Sequence, residues 1–251
     1  MGYFDNKENM IKKANEHIAF IKNNYDKEIS NSISKSYKIR EVYMYNRPLE
    51  KEAEIKVVPI DTVKALFEFS RGKTAVLNFA SYKEPGGMFM QGSSAQEECL
   101  CHASTLYPVL KHFEYTFYMP NRKSVNKGLY YNAAIYSEDI LFFDGDKTYL
   151  ADVISCAAPN YRTAKKYCNV SSDENYRALR NRVEFVVKVA AEQEVDTLIL
   201  GAWGCGVFGQ NPMEVATLFK EYLKKYPYFK TVVFAILPGP NYDAFEKVFN
   251  E

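Results

Sequence analysis

Two adjacent glutamates are the residues whose type and setting best suit bond-breaking chemistry. Gln96-Glu97-Glu98 begins a predicted helix whose later residues are apolar, and it closely follows a glycine-rich stretch. Glutamates in a first helical turn often only complement the helix dipole or form a capping box. Here the helix looks buried, which favours a carboxyl group that exchanges a proton with a ligand. Neighbouring helix residues point about 100° apart, so only one glutamate can face a given bond squarely.

Seven of the 12 glycines fall in two stretches that follow predicted strands. The first holds Gly86, Gly87 and Gly92, and the second holds Gly201, Gly204, Gly206 and Gly209. In a parallel sheet the carboxyl ends of the strands share one edge, where ligands of open α/β folds bind. Glycine lets backbone N–H groups approach an anion, and a helix beginning at Asn211-Pro212 would add a positive dipole end. Either loop alone could be a tight turn, but the pair favours a diphosphate site. Neither matches a Walker loop or the dinucleotide fingerprint in its usual place.

The cysteines do not indicate a metal centre or a disulfide framework. There are five, an odd number, and several lie in apolar runs, which indicates reduced thiols. Cys99, Cys101 and His102 lie close together, but no second ligand pair with zinc-like spacing follows, so we expect no metal and no cofactor. Cys205 lies in the second glycine loop, where a thiolate could act as a nucleophile. No histidine neighbours it in sequence, which favours a structural role.

Composition excludes several classes of protein. The chain has 251 residues, 47% of them apolar and 25% charged, which is typical of an ordinary globular domain. A formal net charge of +1 argues against binding to bulk nucleic-acid backbone. The first residues are rich in Lys, Asn and Glu, unlike a signal peptide, and no stretch approaches the roughly 20 apolar residues of a membrane helix. We therefore expect a cytoplasmic location, and the sequence does not indicate an oligomeric state.

Apolar strands alternate with helices along the chain, which predicts βαβ units and a mostly parallel central sheet. The predicted strands are 55–59, 74–80, 152–158, 196–202 and 231–237. The predicted helices are 5–24, 62–70 capped by Asp61, 96–111, 172–193, one opening at Pro212, and 242–249. We interpret residues 26–50 as irregular and closed by Pro48, and 133–144 as a hairpin turning near Glu138-Asp139. The organisation predicted is one domain, 51–251, with an amino-terminal helical extension over 1–50.

Two motifs in the sequence resemble a known family. The stretch from Asn78 to Glu98, Asn-Phe-Ala-Ser-Tyr-Lys-Glu-Pro-Gly-Gly-Met-Phe-Met-Gln-Gly-Ser-Ser-Ala-Gln-Glu-Glu, with Leu106-Tyr-Pro108 after it, is similar to the signature of microbial poly(ADP-ribose) glycohydrolases. Gly204-Cys-Gly-Val-Phe-Gly-Gln-Asn-Pro212 resembles that family's second phosphate loop. The resemblance covers about residues 40–250. It implies a macrodomain-like, three-layer α/β/α fold.

The resemblance also implies a role for each site residue. Glu98 would be the catalytic acid, while Glu97 would hold the ribose hydroxyls and fix the pose of the substrate. Glu98 would protonate the leaving oxygen as an oxocarbenium-like centre forms, and would then activate the attacking water. The expected substrate-binding residues are Asn78, Gly86, Gly87, Met88, Gln96, Gly204, Cys205, Gly206, Val207, Phe208, Asn241 and Tyr242. Among these, Gly204 to Val207 would cradle the diphosphate, Phe208 would pack on the distal ribose, and Asn241 and Tyr242 would contact the adenosine half.

The chain departs from the family pattern at one position. Three consecutive glycines are expected in the first loop, and the third is Met88 here. A side chain at this place could narrow the cleft, change the linkage accepted or abolish turnover. The predicted function is hydrolysis of the O-glycosidic ribose bond of poly(ADP-ribose), or of a mono-ADP-ribosyl adduct of a protein, nucleic acid or small molecule, to release ADP-ribose. The alternative is a reader or sensor that binds ADP-ribose without turnover, and a generic nucleotide enzyme on a similar sheet is also open.

Overall fold

The strands that the structure describes form one seven-stranded sheet. The computed structural model describes residues 3–44 and 52–250. The strands are β1 (Tyr37–Ile39), β2 (Glu54–Val58), β3 (Thr74–Phe79), β4 (Ala134–Asp144), β5 (Lys147–Cys156), β6 (Thr197–Leu200) and β7 (Thr231–Ala235). Their order across the sheet is β1-β4-β5-β3-β6-β7-β2. The five strands from β5 to β2 are parallel, and only β4 and β1 are antiparallel to their neighbours. The prediction of a mostly parallel sheet is confirmed.

Helices cover both faces of this sheet. They are α1 (Tyr3–Asn24), α2 (Asp26–Lys35), α3 (Thr62–Phe69), α4 (Gln96–His102), α5 (Leu106–His112), α6 (Met119–Lys123), α7 (Tyr161–Cys168), α8 (Ser172–Glu192), α9 (Pro212–Lys225) and α10 (Pro240–Asn250). Alternate residues of β3 enter different cores, because successive strand side chains point to opposite faces. Ala75 and Leu77 pack with α8, α9 and α10, whereas Val76 packs with α1, α3, α4 and α5. The predicted three-layer α/β/α architecture is confirmed.

Local cap chemistry sets three helix starts as expected. The Asp61 carboxylate accepts from the Lys64 N–H at 2.9 Å at the start of α3. Asn211 accepts from the Met213 N–H at 2.9 Å, and Pro212 is the first residue of α9. Ser171 caps α8 in a reciprocal capping box, which satisfies N–H groups that would otherwise lack a partner.

The predicted helix 96–111 is wrong, because the structure has two helices there. Residues 103–105 are drawn into hydrogen bonds with β4: Phe143 N–H donates to the Ala103 carbonyl at 2.8 Å, and Thr105 N–H donates to the Leu141 carbonyl at 3.0 Å. The Ser104 hydroxyl also accepts from the Leu106 N–H at 3.1 Å. Pairing with a strand distant in sequence thus overrides the local helix pattern.

The predicted hairpin within 133–144 is also wrong. β4 continues through Glu138-Asp139 with a bulge, at which Asp139 has a φ of 55°, and the turn to β5 lies at Gly145-Asp146. The Asp152 carboxylate accepts from the Asp139 N–H at 3.1 Å and holds the bulge. β5 consequently begins at Lys147 rather than 152.

Some regular structure has no counterpart in the sequence prediction. Residues 26–44 are not irregular throughout, since they form α2 and β1, and β1 pairs with β4 in the sheet. α7 and the helical turns over 114–123 were likewise not predicted. The predicted domain boundary at 50/51 and Pro48 lie outside the described residues, so the division into 1–50 and 51–251 stays a prediction. No helix in the described part of the chain has the length and apolar character needed to cross a membrane.

Candidate active site

Glu97 lies at the carboxyl edge of the central strand, in a buried hydrogen-bond network. Asn78, near the end of β3, donates through Nδ2 to Glu97 Oε1 at 3.2 Å and to Ser155 Oγ at 3.1 Å. Ser81 N–H donates to Glu97 Oε2 at 2.7 Å. Asn78 is fully buried and Glu97 is only 4% exposed. The network fixes one carboxylate where β3 meets the first turn of α4.

Glu98 is buried beside it but is less completely bonded. Its Oε1 accepts from the Met88 N–H at 2.8 Å. Its Oε2 is buried and has no hydrogen-bond partner within the described residues. A buried carboxylate oxygen without a partner is costly, so such an atom needs an explanation. Of the four carboxylate oxygens of the pair, this one has its hydrogen-bonding capacity wholly unused within the described residues.

The close approach of the two carboxylates requires glycine at position 87. A Cβ there would lie 2.5 Å from Glu98 Oε1 and 2.9 Å from Glu97 Oε2, which is closer than real Cβ contacts. Gly87 also has a φ of 59°, in the left-handed region that side chains disfavour. The first glycine loop therefore wraps directly around both carboxylates.

The electrostatics of the pair favour a bound proton. Burial raises the pKa of Glu97 to about 8, and the neighbouring Glu98 acts in the same direction. Hydrogen bonds from Ser81 and Asn78 lower that pKa and only partly offset the burial. At neutral pH Glu97 consequently holds a proton in most of the molecules.

The second glycine loop follows β6, the strand next to β3. Gly206, Val207 and Phe208 have backbone N–H groups with no acceptor in the part of the chain that the structure describes. Gly204 turns with a φ of 78°, and a Cβ on it would come within 2.8 Å of the Ala158 side chain. Val207 is 71% exposed. The free N–H groups suit an anion such as a phosphate.

Buried side chains hold this loop in place. Gln210 and Asn175 exchange two amide hydrogen bonds, at 2.8 and 2.9 Å, which tie the loop to α8. The Phe208 ring lies edge-on to Tyr130 with centroids 6.3 Å apart. Burial raises the pKa of the Cys205 thiol to about 12, so it is not a thiolate at neutral pH. The structural role expected for Cys205 is thereby favoured over a nucleophilic one.

The remaining predicted binding residues fall into two groups. The side-chain amide of Gln96 hydrogen-bonds to the backbone of β3. Its Oε1 accepts from the Phe79 N–H at 2.8 Å, and its Nε2 donates to the Leu77 carbonyl at 2.9 Å. It positions the glutamates rather than presenting a free amide. Asn241 and Tyr242 lie in the first turn of α10, after β7, at the same edge of the sheet but two strands away from β3.

Met88 keeps the backbone contact of the first loop. Its φ is −105°, which any residue adopts, so the loss of the family's third glycine causes no backbone strain. Met88 is 49% exposed, and it follows Gly87 in the loop that approaches both carboxylates. The support of Glu98 therefore does not need a third glycine, since the Met88 N–H donates to its Oε1.

Sequence reasoning missed several residues of the site. Ser81 and Ser155 support the pair through Glu97 and Asn78. Tyr82 stacks on Tyr130 with ring centroids 4.2 Å apart, and this pair lies beside Phe208. Ser155 could have been found only from the strand order, which places it opposite Asn78. No sequence signal marks the tyrosine pair. Within the described residues, no cluster of three or more His, Cys, Asp or Glu forms a metal-binding group.

Proteins of known structure share this fold. A family model described as microbial-type PARG, catalytic domain, matches residues 8–145. The crystal structure of poly(ADP-ribose) glycohydrolase from Thermomonospora curvata is 28% identical with a TM-score of 0.86, covering 96% of this chain and 100% of that chain. The Deinococcus radiodurans enzyme in complex with ADP-ribose is 29% identical with a TM-score of 0.79, covering 88% and 97%. A comparison with curated protein sequences yields no match.

The sheet order and the helices on both faces define a macrodomain-like fold, with two glycine loops and a buried carboxylate pair at the carboxyl edge of its strands. The chain belongs to the microbial-type poly(ADP-ribose) glycohydrolase family, whose catalytic-domain model spans more than half of it. The family and the fold predicted from the two motifs are confirmed.

Proposed function

We propose that this chain releases ADP-ribose by hydrolysing the O-glycosidic bond at its anomeric carbon, in poly(ADP-ribose) or in a mono-ADP-ribosyl adduct. The observation that carries the proposal is the free, buried Oε2 of Glu98 beside the first glycine loop. It lies at the carboxyl edge of β3, and the anion cradle of Gly206 to Phe208 follows the neighbouring strand. A diphosphate held in that cradle would bring the ribose attached to it towards the carboxylates.

Glu98 then acts twice in the reaction. Its protonated carboxyl group gives the proton to the leaving oxygen as the bond to the anomeric carbon breaks and positive charge develops on the sugar. The resulting carboxylate takes a proton from a water molecule as the water oxygen bonds to the anomeric carbon. The products are ADP-ribose and an alcohol, and Glu98 has its proton back.

Glu97 positions the substrate in this scheme. Asn78 and Ser81 hold its carboxylate, so its remaining acceptor capacity can bind the ribose hydroxyls. Phe208 packs against the distal ribose and is supported from behind by Tyr130. Asn241 and Tyr242 receive the adenosine half beyond the second loop.

The test is Glu98→Gln, with Glu84→Gln as the matched control. Glu84 is an exposed glutamate of the same loop that pairs with Arg122, away from the carboxylate pair. Calorimetry with ADP-ribose should give a Kd within about threefold of wild type for both variants. Release of ADP-ribose from labelled polymer should fall by about 10² to 10⁴ for Glu98→Gln alone.

An unchanged rate for Glu98→Gln would refute its role. Wild-type protein that binds ADP-ribose but releases none from polymer or from adducts would support the reader instead. Met88 is the observation that favours this second candidate, because a half-exposed side chain stands where the resemblance implies glycine, on the residue whose N–H donates to Glu98.

A further inference from the structure

A cavity of about 660 Å³ lies between α1, the start of α3, the end of α4 and the turn from β4 to β5. That turn stands at the amino edge of the parallel strands, because β5 begins there at Lys147 and pairs with β3 only from Asp152 onwards. The candidate active site lies at the opposite, carboxyl edge. The residues that line the cavity are therefore not those of the candidate active site.

Three aromatic rings from separate segments line the cavity. They are Phe20 in α1, Tyr25 between α1 and α2, and Phe143 in β4. Each ring contacts the other two, with centroids 5.8 Å apart for Phe20 and Tyr25, 6.2 Å for Phe20 and Phe143, and 5.1 Å for Tyr25 and Phe143. Phe20 is 48% exposed. The face of an aromatic ring attracts a cation, so a group of three rings in a cavity suits a positively charged ligand.

The charged side chains of the cavity are mostly acidic. Asp61, Asp144 and Asp146 line it, and Lys64 is the one described lining residue with a positive charge. Lys64 lies 3.5 Å from the Asp61 carboxylate. In the described part of the chain, Asp144 and Asp146 have neither an ion-pair nor a hydrogen-bond partner. A cleft lined by one sign of charge concentrates ligands of the opposite sign, so this cavity attracts cations.

Two histidines line the cavity without adding positive charge. His17 and His102 have ring centroids 6.5 Å apart. Burial lowers the pKa of both rings, so both are mostly neutral at pH 7 and do not repel a cation. His17 Nε2 lies 2.8 Å from the Ser104 carbonyl oxygen. His102 Nε2 is buried and has no hydrogen-bond partner within the described residues. An unpartnered buried nitrogen needs an explanation, and an N–H donor of a ligand supplies one.

The arrangement suits an extended organic cation better than a metal ion. Within the described residues, no three His, Cys, Asp or Glu side chains are grouped so that they could hold a metal. The carboxylates instead come from two separate elements, since Asp61 caps α3 while Asp144 and Asp146 flank the turn from β4 to β5. A ligand with one positive charge pairs with only one of these elements. A ligand with two charges joined by methylene groups can pair with both and pack its methylenes on the rings.

From these features we infer that the cavity binds an aliphatic polyamine, a linear molecule with two or more protonated amines. The rings of Phe20, Tyr25 and Phe143 contact one ammonium and the adjoining methylenes. The free carboxylates of Asp144 and Asp146 pair with the amines. This inference does not depend on the proposed function, because the candidate active site supplies none of these groups.

The experiment is calorimetry of the whole chain with spermidine at pH 7.5 and constant ionic strength. Magnesium chloride is the probe for charge alone, and a neutral diol of similar length is the probe for apolar contact alone. The test variants are Phe20→Leu, Asp144→Asn and Asp146→Asn. Tyr115→Leu is the control for loss of an exposed ring, since Tyr115 is 74% exposed and lies outside the cavity. Asp243→Asn, at an exposed position of α10, is the control for the change in charge.

We expect one spermidine site per chain. Phe20→Leu should raise the Kd about three- to tenfold, as the loss of a cation–π contact would give. Asp144→Asn and Asp146→Asn should each raise it about two- to fivefold, as the loss of an exposed ion pair would give. Tyr115→Leu and Asp243→Asn should leave the Kd unchanged. The diol should not bind, and magnesium should not displace spermidine. Urea unfolding of each variant shows whether weaker binding reflects a loss of folded protein.

Four results would overturn the inference. An unchanged Kd for Phe20→Leu would show that the rings do not contact the ligand. Equal weakening by Asp243→Asn, or displacement of spermidine by magnesium, would identify a diffuse counterion effect. Binding of the diol as tight as that of spermidine would identify an apolar pocket without selectivity for cations. Loss of ADP-ribose binding is a separate outcome, which bears on the proposed function alone.

Discussion

Replacing Glu97 with glutamine should stabilise the protein at high pH. Burial raises the pKa of Glu97 from 4.5 to about 8, so between these values the folded protein keeps a proton that the unfolded chain releases. The unfolding free energy of the wild type therefore falls as pH rises through this interval. At about 1.4 kcal/mol per pH unit, the interval corresponds to about 4–5 kcal/mol as an upper bound.

Glu97→Gln removes this dependence, because the amide does not titrate. The new side chain can keep its hydrogen bonds: its oxygen accepts from the Ser81 N–H, and the Asn78 amide can turn so that its unpartnered Oδ1 accepts from the new N–H. Urea unfolding of both proteins at pH 5, 7 and 9 is the assay. From pH 5 to pH 9, the unfolding free energy of the variant minus that of the wild type should rise by about 2–5 kcal/mol. This corresponds to a rise of roughly 5–15 °C in the difference between their Tm values.

Glu68→Gln is the control for the change in charge. Glu68 is an exposed residue of α3, and its variant should follow the wild type at all three pH values. Parallel pH curves for wild type and Glu97→Gln would refute the reasoning, because Glu97 would then gain no proton on folding.

Three further predictions concern the loops. Gly87→Ala should cost about 2 kcal/mol or more in urea unfolding and abolish turnover, whereas Gly206→Ala, with no atom within 4 Å of the added Cβ, should stay within about 0.5 kcal/mol. Met88→Gly should lower the unfolding free energy by about 0.4–1 kcal/mol, because glycine raises the conformational entropy of the unfolded chain. The same variant should raise kcat/KM on polymer. An unchanged kcat/KM would show that the side chain does not limit access. Cys205→Ala should keep wild-type turnover, and a hundredfold loss would contradict the structural role of this thiol.

Features set by local chemistry could be predicted from the sequence. Asp61 and the Asn211-Pro212 pair mark helix starts through cap bonds within three residues, and the structure has both. The apolar run 74–80 predicted the central strand. The two glycine loops that follow strands predicted the edge of the sheet at which the candidate site lies. Family resemblance added which glutamate would act, and the free Oε2 of Glu98 supports that choice.

The rest depends on contacts between distant parts of the chain. The break between α4 and α5 exists because Ala103 and Thr105 bond to β4, about 40 residues later. Ser155 reaches Asn78 only because β5 pairs with β3 in one register. Tyr130 takes a left-handed conformation that its residue type disfavours, so no local pattern could indicate its stack on Tyr82.

The strand order has a consequence for synthesis on the ribosome. The strands that flank β3 in the sheet are β5 and β6, and both are synthesised after β3. β2 is likewise synthesised long before its partner β7. When residue 145 has emerged, β1 and β4 are the only described strands that already have each other as partners. Glu97 and Glu98, in the helix that follows β3, are thus translated long before β3 has a partner on either side. Nascent chains of this length should expose apolar β3 and depend on chaperones, and folding to the native state should be slow because most strand pairs are distant in sequence.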